Sequence, residues 1–171
     1  MHAKLTFVKA ESGEHHRVWI EPDGRPAIGP RLHVGHDLPH LVVESFLGLE
    51  DGLWGCLVAE GTYPGLTDGH LVAKSVTNAI SSALRHGPQT ASGVRAHLDS
   101  FRRPDREKRR SFDEALARRR QELVLACLAR LDDEDVRSVA AHLRAMALRW
   151  SSTPVGEVMR LEWPLSIQGP E

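Results

Sequence analysis

Four side chains able to hold a metal or move a proton fall within one short stretch, His36-Asp37-Leu38-Pro39-His40-Leu41-Val42-Val43-Glu44. If the segment is helical from residue 36, side chains four apart stand one turn above each other, so His36 and His40 could share a single ion, zinc or another divalent metal. Glu44 lies a further turn along and does not easily reach the same ion. His70, beside Asp68 at the start of a later helical pattern, is the better third metal ligand, and His33 offers another nitrogen nearby. Pro39 complicates this geometry, because proline disfavours helical backbone at the preceding residue and is best tolerated in a first turn. It predicts a helix starting at 37–39, with His36 just outside, Asp37 as the N-terminal cap, and His40 and Glu44 paired one turn apart.

The same spacing resembles, over these few residues, the His-Glu-x-x-His helix of zinc peptidases with Asp in place of Glu. That resemblance implies Asp37 as the base that takes a proton from metal-bound water, with a third protein ligand arriving from downstream. The candidate catalytic residues are therefore Asp37 and Glu44, and the candidate metal ligands His36, His40 and His70. Asp37 is equally suited to be cap or base, its side chain being one methylene shorter than glutamate. A longer part of the chain resembles a group of small actinobacterial proteins: an N-terminal strand pair, then HDLPHLVVESFLGLEDGLWG, and a closing strand near TPVGEVMRLEWPL. This second resemblance implies an architecture and carries no activity with it.

The elements that must position these residues are readable from periodicity. Leu5 and Phe7, then Val18 and Ile20, alternate with polar residues on either side of Glu11-Ser12-Gly13-Glu14, the pattern of a hairpin with one buried face. Pro22-Asp23-Gly24 turns the chain out of it. Met159, Leu161 and Trp163 alternate with Arg160 and Glu162 and stop at Pro164, predicting a last strand that joins the hairpin in a small antiparallel sheet. Between these ends the pattern is helical. Leu41, Val42, Phe46 and Leu49 form a first stripe, followed by a Gly-rich stretch from Gly48 through Gly69. Thr67 or Asp68 caps a helix whose wide apolar face, Leu71 to Leu84, marks it as central and which Gly87-Pro88 ends. A short helix is expected over 92–100, a long amphipathic one over 105–131, and a further one from Asp132–Asp135 through Trp150, the last two forming an antiparallel hairpin.

Composition bounds the function classes. The chain has 171 residues, 41% hydrophobic and 26% charged, with a formal net charge of -1. These values suit one soluble domain over 1–171 and argue against a dominant nucleic-acid or membrane-surface role. No signal-peptide core or membrane-length apolar run occurs, so a cytoplasmic location is expected. Cys56 and Cys127 lack a C-x-x-C partner and read as reduced thiols. Arg102, Arg103, Arg106, Lys108, Arg109 and Arg110, with Arg118-Arg119-Arg120 beyond, are diluted by acidic neighbours and lack stacking aromatics, which fits a solvated helix face better than a phosphate-binding one. The expected fold is α+β, with a terminal sheet packed on a helical middle and a long helical hairpin. The leading functional expectation is a metal or ligand pocket at His36, Asp37, His40 and Glu44, hydrolase-like in chemistry and taking a small molecule or peptide. The alternative is a non-enzymatic module whose Arg-rich helices mediate self-association or contact with an acidic partner.

Overall fold

The computed structural model describes residues 2–11, 16–22, 31–61, 67–86, 89–101 and 114–165. Along the chain the elements are β1 (Ala3–Val8), β2 (His16–Pro22), β3 (Arg31–Leu32), α1 (Val34–Leu47), α2 (Leu53–Glu60), α3 (Asp68–His86), α4 (Ala91–Phe101), α5 (Glu114–Ala129), α6 (Asp133–Ser152) and β4 (Val158–Trp163). The fold is α+β, with an antiparallel sheet ordered β3-β2-β1-β4. Its register follows from period two: Leu5 stands between Ile20 and Leu161, and Phe7 between Val18 and Met159. All six are buried. On the opposite face Lys4 stands between Glu21 and Glu162, the opposite-charge pairing that favours adjacent antiparallel strands. The terminal strand thus joins the hairpin as its alternation predicts, and β3, two residues long, is an addition that no periodicity could announce.

The apolar face of the sheet packs on α1 and α2 in one core region, while α1, α3, α4, α5 and α6 share a second. Helix α1 belongs to both: Val34, Leu38 and Leu41 face the sheet layer, whereas Val42 and Val43 join the helical layer. The helix expected to be central, α3, packs on α1, α2, α4 and α5, while α1 bridges the two core regions. That position explains why polar groups on α1 are buried at all.

Two further elements depart from expectation. The Gly-rich stretch contains helix α2, because Gly52 and Gly55 serve close packing there: a Cβ on Gly55 would overlap the Glu50 carbonyl. Helices α5 and α6 are joined by a short turn at 130–132, yet α5 packs chiefly on α3 and α6 chiefly on α1. The start of α6 is as the acidic run predicts. Asp132 accepts from the Glu134 and Asp135 amides at 2.8 Å each, and Asp135 accepts from the Asp132 amide at 3.0 Å. The turn at Asp23-Gly24, the Gly87-Pro88 stop and the basic segment 102–110 lie outside the described residues.

The far end of α6 is tied to the sheet by one cation. Lys9 Nζ donates to the carbonyls of Trp150, Ser151 and Thr153 at 3.0, 3.1 and 2.6 Å and sits 5.4 Å from the Trp150 ring centroid. It satisfies carbonyls that a helix end leaves without partners and places positive charge at the negative end of the dipole. Lys9→Met, which keeps the apolar stem, is expected to lower the folding free energy by about 1–2 kcal/mol in urea denaturation. An unchanged midpoint would show that the contact contributes nothing.

Candidate functional site

Helix α1 begins at Val34, three to five residues earlier than Pro39 predicts, and Pro39 lies inside it. Proline cannot donate a hydrogen bond, so its position must be supported from elsewhere. The support is a cap built from the motif itself. His33 Nδ1 accepts from the His36 amide at 3.2 Å, its carbonyl accepts from the His36 and Asp37 amides at 2.8 Å each, and the Asp37 carboxylate reaches back to the His33 amide at 2.8 Å. Burial of Val34 and Leu38 fixes the same turn. Asp37 is therefore not the N-cap residue its position before Pro39 predicts: His33 holds that place, and Asp37 reaches back from the first turn to the His33 amide.

The second Asp37 oxygen lies 2.7 Å from His36 Nδ1. One turn on, His40 Nδ1 lies 2.9 Å from Glu44 Oε1. The two imidazoles are thus each held at Nδ1 by a carboxylate of the same helix, and their ring centroids stand 5.1 Å apart. This confirms the shared face that the four-residue spacing implies. The surroundings differ: the His36 side chain is 53% exposed, whereas His40 and Glu44 are 3% and 0% exposed.

A fully buried carboxylate requires donors, and Glu44 has them. Oε1 accepts from the Leu53 amide at 3.0 Å and Oε2 from the Trp54 amide at 2.9 Å. These are the first amides of α2, whose own N-cap residue, Gly52, provides no side-chain bond. Glu44 supplies the missing cap from another helix and places negative charge at the positive end of α2. With His40 donating from Nδ1, every partner of Glu44 is a donor, which matches an acceptor-only carboxylate. The approach is possible only because residue 52 is glycine, since a Cβ there would overlap the carboxylate. Trp54, fully buried, closes the arrangement: its Nε1 donates to the Asp37 carbonyl at 2.9 Å, and its ring packs against Phe7 at a 50° tilt with the centroids 5.6 Å apart.

The other ring nitrogen of His40, Nε2, is buried and has no hydrogen-bond partner among the described residues. Nδ1 of His70, on the first turn of α3, is in the same condition. Burial holds the His70 imidazole below its usual pKa, assisted by Lys74 and His40 and opposed by the Glu44 carboxylate and the Asp51 backbone. His70 is thereby kept as a neutral imidazole within the field of the His40–Glu44 pair. Thr67 caps the start of α3, its hydroxyl accepting from the His70 amide at 3.2 Å.

Among the described residues, no three His, Cys, Asp or Glu side chains are already arranged around one metal position. Cys56 does not add a reactive group, because burial and the neighbouring Glu60, Asp51 and Glu44 carboxylates raise its thiol pKa. Among the same residues no helix is long and apolar enough to cross a membrane. The residues that sequence reasoning missed are Gly52 and Trp54. Both lie in the stretch whose glycines masked a helix, and the apolar run after Gly52 was the available signal. Comparison with known proteins finds no matching family model, curated protein or solved structure.

Proposed function

We propose that the chain binds a divalent metal ion of the zinc class on the face of α1 that carries His36 and His40, with His70 of α3 as the third imidazole. The observation that carries this reading is His40: its Nδ1 is held by a buried glutamate, and its buried Nε2 has no hydrogen-bond partner among the described residues. Metal-ligating histidines are commonly oriented by a carboxylate on the other ring nitrogen, and His36 repeats the arrangement through Asp37. The neutral His70 suits the same role, because imidazole binds metal only when deprotonated. Side-chain rotation, for which the half-exposed His36 has room, would be needed to bring the three imidazoles to one ion. A bound ion would supply Lewis acidity toward a small molecule or peptide. Asp37 and Glu44 have their oxygens engaged within the helix starts, which favours positioning the imidazoles over acting as the base of a hydrolase.

The test is zinc titration of metal-free protein by calorimetry, with metal content measured after dialysis. Wild type is expected to retain about one ion per chain and to melt higher with zinc than with chelator. His36→Ala, at a half-exposed position, should keep the fold and weaken binding by about 10- to 100-fold. A chain that retains no zinc, and whose melting temperature ignores both zinc and chelator, would sink the reading.

A further inference from the structure

A cleft of about 300 Å³ opens between α1, α3 and α6. Its walls are mostly apolar: Pro39 from α1, Leu84 from α3, and Ala140, Leu143 and Ala147 from α6, with Ser81 of α3 as one polar residue among them. Its polar end is formed by Arg144 and Gln89. The Arg144 guanidinium is fixed, with Nε donating to the Ala140 carbonyl at 3.0 Å and one terminal nitrogen donating to Gln89 Oε1 at 2.8 Å. Those two bonds leave further N–H groups of the guanidinium for a ligand. None of the described lining residues is acidic, so the cation has no carboxylate partner within the cleft.

From this combination we infer that the cleft is a second binding site, for a small amphiphilic monocarboxylate. The apolar walls would take a short hydrocarbon or aryl tail, and the positioned guanidinium would take the carboxylate. Volume and lining match small-molecule sites, in which mostly apolar surfaces are oriented by a few fixed polar groups. Arginine is suited to the head group because its planar fork pairs with carboxylate in a defined geometry. The inference is independent of the metal reading, since no histidine is among the described residues that line the cleft.

Octanoate is the probe, with 1-octanol and octylamine as the neutral and cationic controls. Binding is followed by methyl-detected NMR at Leu84 and Leu143 and by calorimetry. Octanoate is expected to bind saturably, to shift both leucines, and to bind at least about tenfold tighter than either control. Arg144→Gln, an exposed position, should remove that preference for the carboxylate, and Ala147→Trp should block all binding while leaving the free protein's melting temperature nearly unchanged. The proposal is overturned if octanoate fails to saturate, if it shifts residues elsewhere, if octanol binds equally well, or if Arg144→Gln retains the preference.

Discussion

Glu44→Ala is expected to lower the folding free energy by about 3–5 kcal/mol, a large part of the stability of a domain this size. The substitution removes one side chain and leaves three buried donors unmatched, the Leu53 and Trp54 amides and His40 Nδ1. It also uncaps α2 and opens a void in a region with no solvent exposure. Glu44→Gln separates these contributions, because the amide preserves volume but replaces one acceptor oxygen by an NH2 group. Its favourable orientation keeps the carbonyl toward Leu53 and His40, so the NH2 meets the Trp54 amide donor to donor. The expected loss is about 2–3 kcal/mol, smaller than for alanine and still substantial. Guanidinium denaturation followed by tryptophan fluorescence measures both, and equal stability of Glu44→Gln and wild type would exclude the proposed acceptor role.

Gly52→Ala is the second large effect, and it comes from a single methyl group. The new Cβ would overlap the Glu44 carboxylate, which is held on its other side by His40 and cannot retreat without losing the α2 amides. Gly52 has φ −74° and extended backbone, so its need for glycine arises from close approach and not from a left-handed conformation. A loss of about 3 kcal/mol or more is expected, of the order reached when overpacking also breaks a buried polar network. Gly48 is the contrast. It is a helix end at φ 65° with open space around it, so Gly48→Ala should show only the backbone cost of about 1 kcal/mol. If Gly52→Ala were no worse than Gly48→Ala in the same denaturation experiment, the carboxylate would not be packed as described.

How much of this was legible depends on whether the cause was local. The sheet was, because Leu5, Phe7, Val18, Ile20, Met159 and Leu161 alternate and each strand needs only its own pattern to be recognised. The His36–His40 face and the His40–Glu44 pair were also legible, since spacing along one helix fixes them. The start of α1 was not: the penalty at Pro39 is visible in the sequence, but the compensation is a His33 cap and an Asp37 reach-back, and histidine is not a residue that signals a cap. The partner of Glu44 was hidden for a different reason. Glycine lowers helix propensity, so Gly52 and Gly55 read as a loop, whereas tertiary contacts with Glu44 and the Glu50 carbonyl require glycine there and the helix forms regardless.

Strand β1 has its two neighbours at very different distances along the chain. The pairing with β2 closes a short loop, while the pairing with β4 joins residues separated by almost the entire polypeptide. During synthesis the edge of β1 that will receive β4 must therefore wait until the helices have been made, exposing the backbone donors and acceptors of an inner strand for that interval. Lys9, which belongs to that same edge, also holds the end of α6, so the segment leading into β4 is tied to β1 by a charged contact as well as by the strand pairing. The last turn of α6 and the edge of β1 are thus one junction, and it closes the longest-range pairing of the sheet.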